Sequence, residues 1–332
     1  MRDDSTALPE SLGHEEQPAV SVVEINEPTA AGEGIEVIDQ DVVSLRSEPL
    51  RVQRVILRFD DSLIVYQSTN LPVRSRTQVR NTFVAFGPQA KGTFNGLAIR
   101  PDLLLMAEPG SAGEFVVEAG YESVAVFLPP QNLKQHLKMR QRQDDFRFPK
   151  GIEIRQSNVS TAQSLFEWGK TTAEYAARQP ELFDDQLTSR SAAGMELLEK
   201  LLAVLASMKD YEPTRNDATR QSHSRIVQIA EAYATSNTED RVSVTDLCAA
   251  AGTSERTLQY AFQKVLSMAP IAYLTRLRLH RVRQALRKST RGSTTVSAEA
   301  LRWGFWHFGD FSSAYKKCFG ESPSDTLKEV GS

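Results

Sequence analysis

Histidine and cysteine are scarce in this chain, five and two among 332 residues. No histidine falls between residues 15 and 135. That stretch therefore holds no cluster of imidazoles, which excludes the metal chemistry that depends on one. The phosphate-cradling glycine loop, the GxSxG nucleophile elbow and the HExxH zinc motif are missing too. These absences argue against an enzyme: no catalytic residue, metal ligand or cofactor is expected. Two cysteines are too few for a disulfide framework. Cys248 and Cys318 sit at small or apolar positions and read as reduced core thiols. No apolar run approaches the ~20 residues that cross a bilayer, and the acidic N terminus lacks the make-up of a signal peptide. The expectation is a cytoplasmic protein without a membrane partner.

What is present is an ordinary globular composition, 40% hydrophobic and 24% charged, on a chain long enough for two domains with separate cores. The net charge of −3 hides an asymmetry. From Arg215 onward 17 Lys and Arg face 11 Asp and Glu, whereas residues 1–214 carry 22 against 31. Acid is wholly missing between Arg256 and Ala298, where nine bases stand: Arg256, Lys264, Arg276, Arg278, Arg281, Arg283, Arg287, Lys288 and Arg291. Such a run predicts a phosphate-contacting surface.

Taken in order, residues 1–34 are acidic, rich in Pro, Gly, Ser and Glu, and predict a disordered tail. From Ile35 to Leu128 the chain turns to short β-rich runs: Val52–Phe59, Leu63–Tyr66, Gln78–Phe86, Leu97–Ile99, Leu103–Ala107, Phe115–Val117 and Ser123–Leu128. Asp60-Asp61, Asn95-Gly96 and Pro109–Gly113 punctuate them as turns. Strands at this spacing predict a barrel or sandwich. Helical patterns come next, at residues 131–141, Ser160–Gln179 and Asp184–Met208. The last carries a stripe of Leu187, Gly194, Leu198, Leu201 and Leu205 with Met195 and Leu202 beside it, suited to core packing or to a dimer contact. Residues 209–222 lose all periodicity and read as a linker. The pattern then predicts a helix from Ser224 to Ala234 and a long one from Ile271 to Lys288.

Twice in the last third a short helix, a glycine turn and a second helix recur. The first copy, VTDLCAAAGTSERTLQYAF from Val244, places Leu247 and Ala251 on one side, Gly252 at the turn, Ser254 at an N-cap, and Leu258 and Phe262 inward. The second, VSAEALRWGFWHFGDFSSAYKKCF from Val296, repeats the order with Ala300, Gly304, Phe311 and Tyr315. With Met268-Ala269-Pro270, Tyr273, the RLRLHRVRQAL run and Phe319-Gly320-Glu321-Ser322-Pro323-Ser324, these residues resemble the DNA-binding domain of the AraC/XylS family of bacterial transcription regulators. Two positions depart from the family pattern. Ser267 replaces a glycine, which strains a helix C-cap if the residue is left-handed. Glu299 takes a normally apolar position before Ala300, which loosens the first helix of the second motif.

The resemblance implies double-stranded DNA as partner, a nucleoid location in a bacterium, a homodimer, and contact with RNA polymerase. It also implies that the second helix of each motif reads base edges in the major groove. In the first motif the outward positions are Ser254, Glu255, Arg256, Thr257, Gln259 and Tyr260, with Lys264 beyond. Arg pairs bidentately with guanine and Gln with adenine, so Arg256 and Gln259 are the strongest readers. In the second motif they are His307, Phe308, Gly309, Asp310, Ser312 and Ser313, with Lys316 and Lys317 on phosphate. Trp303, Phe305 and Trp306 read as core. The β-rich region resembles the cupin-like sensor domain that precedes the DNA-binding part in many such regulators. That implies a small-molecule effector, with Phe83, Phe86, Phe94, Phe115 and Phe127 as wall residues and Arg100 for a carboxylate. The alternatives are an interaction platform without a ligand, or a cupin enzyme with a DNA-binding tail. The expected architecture is thus α+β: a tail at 1–34, a cupin-like β-barrel sensor and dimerisation domain with helices at 35–208, a linker at 209–222, and an all-α domain with two helix-turn-helix motifs at 223–330.

Overall fold

The computed structural model describes residues 17–329 except 33–34, 81, 89–91, 185–186, 238–241 and 291. The expected tail lies outside the described residues at 1–16 and 33–34, but not between them. Val20–Ile25 forms strand β1, paired antiparallel with β3 (Val52–Arg58) from Val20 opposite Leu57 to Ile25 opposite Val52. The Pro- and Glu-rich flanks mask a VSVVEI run whose two ends are buried.

Between β1 and the helices lie β2 (Ile38–Ser44), β4 (Leu63–Thr69), β5 (Val73–Val79), β6 (Phe83–Pro88), β7 (Gly92–Phe94), β8 (Leu97–Ala98), β9 (Leu103–Ala107), β10 (Ala112–Val117) and β11 (Tyr121–Leu128). Two late strands, β12 (Ile152–Gln156) and β13 (Lys209–Asp210), were not expected. Hydrogen bonding assigns them to two antiparallel sheets, in the orders β1-β3-β4-β11-β6-β9-β12-β13 and β2-β5-β10-β7-β8. This is the expected α+β class, but no pairing among the described residues closes the sheets into a barrel. The run expected as one strand at Gln78–Phe86 is divided between β5 and β6. Arg74, Ser75, Arg76 and Thr77 hide β5 from an apolar alternation, because both faces of this strand meet protein and one of them meets charge.

Helices α1 (Pro130–Met139), α2 (Val159–Arg178), α3 (Glu181–Asp184) and α4 (Leu187–Ser207) cover the larger sheet. Of the α4 stripe, Leu198, Leu201, Leu202 and Leu205 are buried in that core, while Leu187 and Met195 stand 64% and 65% exposed. Each leucine so buried contributes roughly 1.5–3 kcal/mol.

Helix α5 (Arg215–Ser236) begins nine residues before Ser224, within the expected linker. A Thr214–Asp217 capping box starts it, satisfying two of the free amides of its first turn. Only 211–214 remain as connection. An apolar period could not reveal those early turns, because their inward residues are Asp217 and Ser224.

Beyond α5 stand the helix-turn-helix units. Helices α6 (Val244–Ala251) and α7 (Glu255–Leu266) meet at Gly252, whose φ of 59° is the left-handed turn that glycine adopts without penalty. Helix α8 (Pro270–Lys288) links them to α9 (Val296–Arg302), α10 (Phe308–Phe319) and α11 (Pro323–Glu329). Tyr273, Leu274 and Leu277 of α8 belong to the core of a first lobe with Val227, Leu247, Leu258 and Phe262. Its Leu279, Val282 and Leu286 belong to a second, with Ala300, Phe311 and Tyr315. One helix thus carries both lobes.

Ser267 caps α7 at φ 54° and ψ 31°, so the left-handed strain foreseen at that position is present. Ser267→Gly is expected to stabilise the protein by about 0.5–1 kcal/mol, read as a rise in melting temperature. A fall would mean that the serine hydroxyl contributes more than the backbone strain costs. Glu299 is 8% exposed, with one oxygen accepting from the Thr294 hydroxyl at 2.8 Å and the other lacking a hydrogen-bond donor.

The two domains share a face. Val43 and Leu45 of the smaller sheet's edge are buried within the first lobe's core. Beside them lies a network of buried charge. Arg74 donates to Glu114 and to the Tyr273 hydroxyl and pairs with Glu231 of α5. Tyr273 in turn donates to Glu231 at 2.9 Å, and Arg76 reaches Glu231 at 3.1 Å. Further along α8, Arg276 donates to the Ser44 carbonyl and the Ser47 hydroxyl, Arg281 to Asp41, and Arg283 to Glu27.

Candidate nucleic-acid interface and internal cavity

The side of α7 away from its core is open. Ser254 accepts from the Thr257 amide at 3.2 Å, and its hydroxyl lies 2.9 Å from that of Thr257, so these two side chains are engaged in starting the helix. Leu258 and Phe262 are fully buried, which fixes the helix's rotation. Glu255, Arg256, Gln259, Tyr260 and Lys264 are then exposed. Arg256, Gln259 and Tyr260 share one face at helical spacing, and Gln263, which the sequence pattern did not single out, continues it one turn on. The spacing 256, 259, 263 would have found it. Tyr260 is 52% exposed, with its ring edge-on to His223 of α5 at 5.3 Å and the Lys264 ammonium 5.4 Å above it. Gln259 reaches Glu255 at 3.5 Å.

Helix α10 presents a shorter chemistry. Its N-cap, His307, makes no capping bond. Phe308 is 44% exposed, and Gly309, Asp310, Ser312, Ser313, Lys316 and Lys317 are open as well, over buried Phe311 and Tyr315. Trp303 and Phe305 are half-buried against the second lobe, Phe305 stacking on Phe311 at 5.0 Å. Trp306, by contrast, is 58% exposed and not core as expected. Gly304, at φ 75°, turns the chain so that this ring leaves the lobe. Trp306, His307 and Asp310 border a cleft of about 550 Å³ between the lobes, opposite Ile271 and Arg278 of α8.

The long basic run is only in part a free surface. Arg256 and Lys264 on α7 and Lys288 are exposed, whereas Arg276, Arg281, Arg283 and Arg287 are turned to the N-terminal domain. Arg283 is 3% exposed and is also held by Glu321 at 2.8 Å. The expected phosphate surface along α8 is therefore corrected to the α7 end of the run. Charge in sequence does not say which partner it meets. Cys318 is buried and Cys248 half-buried, both as free thiols.

A separate cavity of about 120 Å³ lies between the two sheets. Of the phenylalanines proposed as wall residues, Phe86, Phe94, Phe115 and Phe127 border it. Phe83 does not: it faces the helices and meets Phe146 and Phe148 edge-on, each at 6.2 Å. Arg100 does not either; it pairs with Asp102 at 3.2 Å and lies 5.1 Å over the Tyr211 ring. The cation at the cavity is Arg54, 2% exposed, donating to the Ala31 carbonyl and to Gln40 and Gln67. Alternation along β3 was the available signal, since Val52, Arg54 and Ile56 share a face. The buried Tyr121 and Ser123 hydroxyls also border the cavity, and among the described residues neither has a hydrogen-bond partner apart from the other. Burial raises the Tyr121 phenol well above its usual range. Among the described residues no group of three or more His, Cys, Asp or Glu could hold a metal ion, and no helix is long and apolar enough to cross a membrane.

A helix-turn-helix domain family model matches residues 247–329. The chain is 35% identical over 105 residues to the probable thc operon regulatory protein of Rhodococcus erythropolis, covering 32% of each. It is 35% identical over 103 residues to the XylDLEGF operon transcriptional activator 2 of Pseudomonas putida, covering 31% of this chain and 63% of that one. A solved structure of a probable AraC family transcriptional regulator from Rhodopseudomonas palustris matches with 34% identity and a TM-score of 0.30, over 32% of this chain and 98% of the other. The match thus spans about a third of the first relative's length and less than two thirds of the second's. Through these C-terminal residues, the chain carries a helix-turn-helix domain similar to those of operon transcription regulators.

Proposed function

We propose that the protein is a sequence-specific DNA-binding transcription activator whose C-terminal domain reads duplex DNA and whose N-terminal domain answers a small molecule. The observation that carries this reading is the pair of helix-turn-helix lobes on one linking helix, each burying its apolar side and leaving α7 or α10 open on the other. On α7, Arg256 supplies a bidentate fork for guanine, and Gln259 and Gln263 supply amides for adenine. On α10 only His307, Asp310 and the serines hydrogen-bond, while Phe308 and Trp306 offer apolar surface to thymine methyls. The first lobe therefore supplies most of the discrimination. Two lobes in successive major grooves, ~34 Å apart, need a site of about two helical turns.

The effector's place is the cavity between the sheets. At about 120 Å³ it suits a molecule of roughly one ring, as a comparable ~150 Å³ engineered cavity holds benzene. Tyr121 and Ser123 give such a molecule two hydroxyls to bond. Dimerisation uses the open side of α4, where Leu187 and Met195 stand exposed, and activation proceeds through contact with RNA polymerase.

Selection of bound duplexes from a random pool tests the reading. The full-length protein is expected to enrich one site, and Arg256→Ala to lose about 1–3 kcal/mol at a single base pair of it, roughly 5- to 150-fold, while its nonspecific binding changes little. Equal loss on all sequences would make Arg256 a phosphate contact. Enrichment of no site would refute the regulator.

A further inference from the structure

We propose that the cleft between the two helix-turn-helix lobes is a binding site for an aromatic anion about two or three rings across. It is separate from the cavity between the sheets.

Arg278 supplies the charge. Helix α8 carries five arginines, and four of them have partners. Arg276 donates to Ser44 and Ser47, Arg281 pairs with Asp41, Arg283 with Glu27, and Arg287 stands 3.7 Å from Glu27. Arg278 borders the cleft, half-buried, with its guanidinium 5.3 Å over the Phe305 ring. Among the described residues it has no carboxylate partner, and its Nε is shut from solvent without an acceptor. Burial lowers its pKa, and no acid opposes the shift. A guanidinium in this state suits the oxygens of a carboxylate or phosphate. The indole N–H of Trp303, which also borders the cleft, is likewise buried without an acceptor. Buried donors without acceptors are uncommon and costly, and two of them meet at this one place.

The walls supply the rings. Trp303, Phe305, Trp306 and Phe311 border the cleft from the second lobe, and Val242 and Ile271 border it as well. Trp306 and Ile271 are two of the large apolar side chains left exposed on this chain. Apolar surface gathered in a concavity marks a ligand site, and a flat ring covers it best. A duplex backbone would bring phosphate to Arg278 but nothing to cover these side chains, which favours a small molecule. At about 550 Å³ the cleft has the volume of such a site, commonly ~300–1,000 Å³.

The occupant touches both lobes. Ala234 and Val242 at the cleft pack on the first lobe's core, Phe305 and Ala314 on the second's. Helix α8 is the element rooted in both cores, so a molecule wedged beside it adds a second tie between them. That tie fixes how α7 stands to α10, and duplex affinity then changes with occupancy. This consequence rests on the DNA-binding reading above; the site itself does not.

The test uses the full-length protein and 8-anilinonaphthalene-1-sulfonate, a fluorescent aromatic anion. N-phenyl-1-naphthylamine, the same rings without the sulfonate, is its neutral counterpart. Both are too large for the cavity between the sheets, which suits about one ring. Two of the three tryptophans, Trp303 and Trp306, border the cleft, so energy transfer from tryptophan reports a probe seated there. Wild type is expected to show that transfer and to bind the anion roughly tenfold more tightly than the neutral probe. Arg278→Gln should abolish the preference and leave the neutral probe's affinity as it was, which also shows that the variant is folded. Trp303→Phe, which keeps a ring but removes the N–H, should cut the preference about threefold. Equal affinity for the two probes in wild type overturns the proposal, and so does a preference that neither substitution reduces. A duplex that displaces the anion, and that Arg278→Gln binds as much more weakly as it binds the anion, would assign the cleft to the DNA backbone and overturn it too. The probe titrations contain no DNA, so their result stands even if the chain binds no duplex.

Discussion

Replacing Glu231 with alanine is expected to cost the folded protein on the order of 3–5 kcal/mol, the usual loss when one member of a buried ion network is removed. Glu231 is 1% exposed and Arg74 2%. Without Glu231, the Tyr273 hydroxyl loses its acceptor, and the two guanidiniums keep Glu114 as their paired carboxylate, with Asp41 acting only from farther off. The network has no slack to absorb this, since Arg74 Nε and Glu114 Oε1 already lack partners. Burial, and after it the neighbouring Arg74, lowers the Arg76 pKa, a sign that the site already holds its cations at a cost. Urea unfolding followed by tryptophan fluorescence measures the change. Glu231→Gln, which keeps an acceptor for Tyr273 but not the charge, should lose less. A loss below ~1 kcal/mol for the alanine variant would mean that Val43 and Leu45, not the charges, join the domains.

Acid is expected to destabilise the C-terminal domain through His280. This residue is 6% exposed, edge-on to Phe319 at 5.0 Å. Burial foremost, then Arg276 and Arg283, push its pKa down to about 3, with Asp41 opposing. The unfolded chain takes the proton near pH 6.5, the folded one only near 3. Between those values the unfolded state binds more protons, so the stability is complete above ~6.5 and is lost as pH falls, by on the order of 4–5 kcal/mol at the bottom of the window. Carboxylates titrate near pH ~4, so the slope between pH ~5.5 and ~6.5 belongs chiefly to imidazole. His280→Leu should flatten it. A slope that survives this substitution would place the acid sensitivity elsewhere.

The C-terminal domain was legible because its signals are local. Ser254 and Gly252 mark helix ends through their own backbone chemistry, and Leu258 and Phe262 repeat at the period that buries one side. The strands were legible where the run is apolar, as at Leu103–Ala107, which is buried throughout. Strand β5 alternates a cavity-facing residue with an arginine that meets another domain, so no single-strand pattern betrays it. Likewise Thr214 and Asp217 announce α5 by their capping box, while its first turns carry no apolar stripe to trace. Arg100 and Arg54 show the same limit at the cavity: both are arginines near β-rich runs, and only the pairing of strands decides which points inward. The basic run misled for a related reason. Its arginines find carboxylates more than two hundred residues away, a separation that no local rule spans.

Because α8 is rooted in both hydrophobic cores, it works as a ruler between them. Its 19 residues rise ~1.5 Å each, about 28 Å end to end, somewhat short of one turn of B-form duplex. An inserted residue would lengthen it only slightly but would swing one half by about 100° relative to the other. Phase, far more than distance, is what this rod holds constant, and length changes in it should be tolerated only in near-whole turns.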